Sequence, residues 1–398
     1  MGDASREIMR RARQQVPEWS PAQVHEALER QKRADNQEIV LVDVREKLEW
    51  NDGYIPGAIH VPRGFLELQI EEAVPDKSKT LVLYCAGGVR SLIAGSTLKQ
   101  MGYDKVISMS GGFGQWKNSG FEVQMPRTLS DAQQRRYSRH LLIPEVGEQG
   151  QLKLLDSRVL LIGAGGLGAP AAYYLAAAGV GTIGIIDADR VEESNLQRQI
   201  IHTTDRVGEY KAESAKKAIQ ALNPDVNVIT YLEYLDERNV RSIIADYDVI
   251  LDGTDNFPTR YLLNDAALLE HKPVVHGSVF RFEGQVTVFK PYEGPCYRCL
   301  YPEPPPAALA PNCAEAGVLG VLPGIIGLLQ TIETLKLLLN IGDPLVGRLL
   351  TYDALVGEFN ELRLYRDPKC AACGEYGHPE DLPVYADVCA APFQLAHA

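Results

Sequence analysis

Arg158-Val159-Leu160-Leu161-Ile162-Gly163-Ala164-Gly165-Gly166-Leu167-Gly168 is the stretch on which the fold of most of this chain turns. An aliphatic run reads as a strand, and the glycine-rich turn after it opens a helix, the context in which backbone amides converge on a phosphate. Gly163, Gly165, Gly166 and Gly168 are therefore the expected phosphate cradle. Asp187 ends the next strand-like run, Thr182–Asp187, about 20 residues on, where a carboxylate can hold a ribose hydroxyl. Further runs recur at Asn227–Leu232, Asp248–Asp252 and Pro273–Gly277, with helical stretches between the first four. That spacing predicts an α/β architecture with a doubly wound, Rossmann-like parallel sheet. After Gln285–Lys290 the chain turns proline-rich from Pro302 to Pro311 and then enters its most apolar stretch, Val318 to Asn340. Gln330, Glu333 and Lys336 interrupt that stretch, so a buried helix is expected and not a membrane span.

Upstream of this unit the pattern repeats on a smaller scale. Ser20 and Pro21 read as the N-cap and first position of a helix. Strand-like runs follow at Ile39–Asp43, Thr80–Tyr84 and Lys105–Met109, separated by helical stretches, a second α/β unit. Residues 1–17 read as a charged helical extension, 18–125 as the first domain, 126–130 as a short linker containing Pro126, and 131–398 as the second domain. At 398 residues, two domains are expected on size alone.

Bulk properties narrow the function. A net charge of −12 argues against nucleic acid as the main partner, because phosphate neutralisation needs a basic face. The N-terminus has no signal-type apolar run, and Asp3 and Glu7 interrupt its arginines, so a cytoplasmic protein with no membrane partner is expected. Seven cysteines, four of them in two Cys-x-x-Cys pairs, point in a reducing compartment to metal binding and thiol chemistry.

Two sites carry chemistry. Cys85 follows a strand in Cys85-Ala86-Gly87-Gly88-Val89-Arg90-Ser91 and precedes a helix. Paired glycines let amides turn toward one atom, and the helix N-terminus and Arg90 add positive field, which favours a thiolate or persulfide. A lone cysteine would otherwise read as a buried strand end. At the second site the turn and Asp187 alone would equally suit a dinucleotide-binding oxidoreductase. Asn195, Arg198, Lys211 and Thr254-Asp255-Asn256 add two cations, a further carboxylate and amides at the same sheet edge. A triphosphate with Mg2+ and a pyrophosphate leaving group needs such a set, which points to ATP. Arg198 or Lys211 by itself would read as solvated charge. Cys296, Cys299, Cys370 and Cys373 offer four thiolates, the set of a closed Zn2+ site, with redox dithiols as the competing reading. About 70 residues separate the two pairs, so the site would staple distant segments.

Asp43-Val44-Arg45-Glu46, Gly53 through His60, the six-residue loop from Cys85 to Arg90, and Gly111-Gly112-Phe113-x-x-Trp116 together resemble a rhodanese domain over about residues 18–125. Asp43 and Arg45 are expected to form a structural ion pair there, and Trp116 to be core. Residues from about 130 to 375 resemble the adenylating domain of the ubiquitin-activating superfamily, nearest to the molybdopterin-synthase and thiamine-biosynthesis (ThiF/MoeB-type) adenylyltransferases. The resemblance implies Asp187 on the ribose, Asn195, Arg198 and Lys211 on the phosphates, and Asp255 at the metal or adenylate. It also implies a homodimer in which Arg139 reaches the phosphates of the neighbouring subunit. It places Cys313 on a loop above the active site, where a thioester or acyl disulfide with the carrier can form, although a spectator cysteine is the alternative. Cys389 receives no role.

The function so implied is ATP-dependent adenylation of the C-terminal glycine of a ubiquitin-like sulfur carrier ending in Gly-Gly. The Cys85 persulfide, loaded by a cysteine desulfurase or thiosulfate, then converts the adenylate to a thiocarboxylate. The pathway stays open between molybdopterin (molybdenum cofactor), thiamine, cysteine and tRNA thiolation. One departure is plain: in comparable fusions the rhodanese domain commonly follows the adenylating domain, and here it precedes it. The alternatives are a conjugation-type activating enzyme with a Cys313 thioester, and an NAD-binding oxidoreductase.

Overall fold

Strands that are aliphatic along most of their length must be covered on both faces, and that requirement organises both halves of the chain. The computed structural model describes residues 3–34, 38–303, 317–377, 379 and 382. It divides into two units, Met1–Thr128 and Leu129–Ala398.

In the first unit, β1 (Glu18–Trp19), β2 (Ile39–Asp43), β3 (Ile59–His60), β4 (Thr80–Tyr84) and β5 (Val106–Met109) form a parallel sheet in the order β1-β5-β4-β2-β3. Alternation along β4 sends Leu81, Leu83 and then Cys85 into one core with Leu92 and Leu98, and Val82 and Tyr84 into another with Trp116 and Phe113. Trp116 is core, as expected. The Pro21–Ala34 helix starts at Ser20, whose hydroxyl accepts from the Gln23 amide while the Gln23 side chain accepts from the Ser20 amide. The charged helix Asp3–Gln15 does more than extend the chain: Met9 and Ala12, with Val16 just beyond it, are buried in the first of these cores.

The second unit carries β6 (Arg158–Ile162), β7 (Thr182–Ile186), β8 (Asn227–Tyr231), β9 (Val249–Asp252), β10 (Val274–Phe280), β11 (Glu283–Phe289), β12 (Arg348–Asp353) and β13 (Glu358–Arg363). Their order is β13-β12-β11-β10-β9-β6-β7-β8. From β8 to β10 every pairing is parallel, the expected doubly wound half, with Val159 and Leu161 in one core and Leu160 and Ile162 in the other. From β10 to β13 every pairing is antiparallel, so the sheet is mixed. β10 runs three residues beyond the expected end because it turns directly into β11, pairing Phe280 with Glu283. β13 is an edge strand exposed at every residue, which left no burial pattern to read in EFNELR.

The apolar stretch forms the Val321–Leu339 helix, the one helix among the described residues long and apolar enough to cross a membrane. Its polar side chains have internal work. Gln330 Nε2 donates to the carbonyls of Asp252 (2.7 Å) and Val275 (3.0 Å), and Glu333 accepts from the Leu345 amide. Leu322 and Ile326 pack in the same core as Val275 and Val286 of the sheet.

Candidate functional sites

In a parallel sheet, ligands collect at the carboxyl ends of strands where the order reverses direction. In the first unit β2 and β4 are adjacent while β3 and β5 lie to opposite sides of them, and Cys85 follows β4. The loop is seated from beneath by Gly111-Gly112: the Phe113 amide donates to the Cys85 carbonyl at 2.7 Å and the Gly114 amide to that of Ala86 at 3.0 Å. Gly112 has φ +56°, and a Cβ there would lie 2.3 Å from the Cys85 carbonyl oxygen, so no side chain is tolerated. The Cys85 Sγ accepts from the Gly88 amide at 3.1 Å and lies 3.7 Å from the Ser91 hydroxyl. It sits at the start of the Val89–Gln100 helix and is 1% exposed.

Arg90 is not free beside this thiol. It donates through both terminal nitrogens to Glu49, at 2.7 and 2.6 Å, a partner the sequence reading missed. Asp43 and Arg45 form the expected ion pair, buried and bidentate, with Arg45 also donating to the Gly53 carbonyl at 2.7 Å and stacking 3.9 Å over Phe113.

In the second unit β6 lies between β9 and β7, the reversal point. A cavity of about 550 Å³ opens there, within the usual range for a small-molecule site. Gly163, Gly165, Gly166, Asp187, Arg198, Lys211 and Asp255 all line it; Gly168 and Asn195 do not. Gly168 instead opens the helix with its Cα against Gly163, where a Cβ would meet the Gly163 carbonyl oxygen at 2.1 Å. The Asn195 side chain accepts from the Glu192 amide at 3.1 Å. The Asp187 carboxylate accepts from the Ala164 amide of the turn (2.8 Å) and from the Asp189 amide (2.9 Å), and burial pushes its pKa up. Lys211 Nζ pairs with Asp189 at 2.8 Å. Burial alone would raise Asp189, but the Lys211 ammonium outweighs it and the net shift is downward. His202, pushed by burial down to about 4, donates through Nε2 to the Ala164 carbonyl (3.0 Å) and is neutral at ordinary pH. Gln199 lines the cavity, and its buried Oε1 has no hydrogen-bond partner among the described residues.

Several lining residues escaped the sequence reading. Asp189 had a signal, its Asp187-x-Asp189 spacing. Arg260 had none, and neither did Asp252, which lies outside this lining: the β9–β10 register sets His276 opposite Asp252, and their side chains meet at 2.7 Å in the interior. Arg260, which lines the cavity, donates to the Thr254 carbonyl at 2.8 Å and so braces the Asp255 loop. Arg139 is exposed on the Ser138–Leu141 helix and is not among the residues lining its own chain's cavity. Cys313 and Cys389 lie outside the described residues, as does His378, which follows the second cysteine pair and would be redundant as a fifth ligand. Glu303 and Val318 both line the cavity.

Cys296, Cys299, Cys370 and Cys373 converge, their sulfurs all within 4.8 Å of one another. Neighbouring Sγ separations of 3.9, 3.6 and 3.4 Å bracket the roughly 3.8 Å edge of a tetrahedron with metal–sulfur bonds of about 2.3 Å. The donor set therefore fits a tetrahedral metal ion. The pairs come from the segment after β11 and the segment after β13, so the cluster staples distant parts of one unit.

The ThiF family model matches residues 137–372, more than half of the chain, and the rhodanese-like domain model matches residues 21–119. A sulfur carrier protein adenylyltransferase of Thermus thermophilus is 50% identical over 259 residues, 64% of this chain and 96% of that protein. The adenylyltransferase and sulfurtransferase MOCS3 of Bos taurus is 48% identical over 66% of this chain and 58% of its own length. Among solved structures, E. coli MccB with a modified MccA peptide superposes with a TM-score of 0.54 at 21% identity, covering 60% of this chain and 75% of that one, a likeness of fold. The glycine turn at the sheet's reversal point and the thiol loop at the end of β4 thus lie in the two matched segments, and the chain belongs to the ThiF family, with a rhodanese-like domain in the same polypeptide.

Proposed function

We infer that this chain is an enzyme with two linked activities, an ATP-using adenylyltransferase and a sulfurtransferase acting on a ubiquitin-like sulfur carrier. The observation that carries the reading is the presence in one chain of a loop thiol that accepts from a backbone amide and a nucleotide-sized cavity in which one of the lining cations, Lys211, is held in place by a carboxylate. The carrier's C-terminal glycine carboxylate attacks the α-phosphorus of ATP and pyrophosphate leaves. Adenylation is needed because a free carboxylate is a poor electrophile. The turn Gly163–Gly168, Arg198 and Lys211 would hold the phosphates, Asp187 the ribose, and Asp255 the Mg2+ that offsets phosphate charge; Asn195 would act by shaping its loop. The outer sulfur of a Cys85 persulfide then attacks the acyl carbon and AMP leaves, giving an acyl disulfide. A second thiol must attack Cys85 to free the thiocarboxylate, and Cys313, which the family resemblance puts on a loop above the active site, is the candidate. The disulfide left on Cys85 is reopened by an external thiol.

From the family resemblance, a homodimer is proposed in which Arg139, exposed on this chain, completes the neighbour's site. A reducing, cytoplasmic setting suits these free thiols, and molybdopterin, thiamine, cysteine or tRNA thiolation are the uses such a product serves.

Intact mass spectrometry of a Gly-Gly-ended carrier incubated with enzyme, Mg·ATP and a sulfur donor tests the function. Conversion of carboxylate to thiocarboxylate, dependent on ATP, is expected. Carrier attached to lysines in place of thiocarboxylate would mean conjugation.

The four-cysteine cluster is proposed to hold Zn2+ as a structural ion, since four thiolates leave no open position. Cys373→Ser is expected to release the metal and destabilise the second unit by about 4 kcal/mol, roughly 10 °C in Tm. Metal analysis together with a melting curve checks this; a variant that keeps the wild-type Tm would remove the structural role.

A further inference from the structure

The Cys85 loop carries one cation, Arg90, and that cation is already occupied. A guanidinium presents its two donors as a fork matched to the two oxygens of an oxyanion. In this structure Glu49 fills the fork, with both Arg90 terminal nitrogens on its two carboxylate oxygens. Glu49 is held for that task. Its carboxylate also accepts from the Glu46 amide at 3.0 Å in the capping box of the Lys47–Asn51 helix, and its carbonyl accepts from Arg45. The Arg90 hydrogen bond holds Glu49 well below the usual carboxylate range despite some burial, so the pair is ionised at neutral pH. Each side chain is about one-third exposed, 35% for Arg90 and 34% for Glu49, so an incoming anion meets them directly.

We propose that Glu49 determines donor specificity at Cys85: by filling the Arg90 fork and presenting its own negative charge, it disfavours dianionic inorganic donors relative to organic persulfides. This rests on the reading of Cys85 as a sulfur acceptor. With thiosulfate, the Cys85 thiolate attacks the outer sulfur, the sulfur–sulfur bond breaks and sulfite leaves with the electron pair. With a persulfide R–S–SH the same attack forms Cys85–S–SH and releases the thiolate R–S⁻. The two reactions differ at the leaving group. Sulfite must develop two negative charges beside Glu49 with no free cation to receive its oxygens, whereas R–S⁻ develops one and asks for no fork.

Glu49→Gln keeps an acceptor for the Glu46 amide and removes the charge. With the full chain, loading of Cys85 is measured by mass spectrometry and by sulfur transfer to cyanide, using thiosulfate, cysteine persulfide, and a cysteine desulfurase supplied with cysteine. The last two arms separate a small from a protein-borne persulfide. The expected result is a rise of about tenfold in the ratio of kcat/KM for thiosulfate to that for cysteine persulfide, carried mainly by KM for thiosulfate and equal to about 1.4 kcal/mol. That rise should vanish in the double variant with Arg90→Gln, a dependence general structural damage would not produce. An unchanged ratio, or a rise that persists without Arg90, overturns the proposal. If no donor loads Cys85 in the wild type, the sulfurtransferase reading falls, and the specificity with it.

Discussion

Cys85→Ser stops thiocarboxylate formation, by roughly a thousandfold or more, while adenylation of the carrier continues and carrier adenylate accumulates. Serine is the informative replacement because of what holds the loop. The Cys85 Sγ accepts from the Gly88 amide, and a hydroxyl oxygen can accept the same bond, so the Gly111-Gly112 seat and the helix start keep their geometry. What is lost is chemistry alone: an alcohol has a far higher pKa than a thiol and forms no persulfide. The check is intact mass of the carrier together with ATP–pyrophosphate exchange. Wild-type thiocarboxylate yield from the serine variant would mean that sulfur reaches the adenylate by a route that bypasses this loop.

Lys211→Ala lowers ATP–pyrophosphate exchange by about two to three orders of magnitude, the usual cost of removing one preorganised group from a developing negative charge. Lys211 is 7% exposed at the first position of the Lys211–Leu222 helix, and its ammonium has been placed by Asp189 before any nucleotide arrives. Alanine subtracts the cation and also uncovers the Asp189 carboxylate in the cavity, turning an attraction for phosphate into a repulsion. Lys211→Arg should recover part of the rate, since charge matters more here than shape. A loss of less than threefold in the alanine variant would show that Lys211 lies outside the path of the phosphates.

How much of this was legible depended on whether the responsible force acts along the chain or across it. The strand–turn–helix at Arg158–Gly168 and the Cys85 loop are local, so residue order alone located them, and β2, β4 and β6 begin and end where the aliphatic runs do. Features that depend on pairing were hidden. The antiparallel half of the sheet could not be read because β13 buries nothing, and the His276–Asp252 contact exists only through the β9–β10 register. Glu49 had no signal either, since it lies 41 residues from the arginine it occupies. Asn195 and Gly168 were assigned to the nucleotide from pattern, yet they line no part of the cavity and instead shape the backbone that does.

The cysteine staple also imposes an order in time. Its first two ligands are made before the Val321–Leu339 helix and the last two strands, and its last two only after β13. On the ribosome the earlier pair must wait as reactive thiols while the intervening segment, the most apolar of the chain, emerges and packs. Closing a loop of that length costs little more entropy than closing a shorter one, so the delay, more than the span, is the hazard. If the cluster holds the metal proposed for it, synthesis would pass through a half-ligated stage open to oxidation and stray metals, ending when residue 373 becomes available.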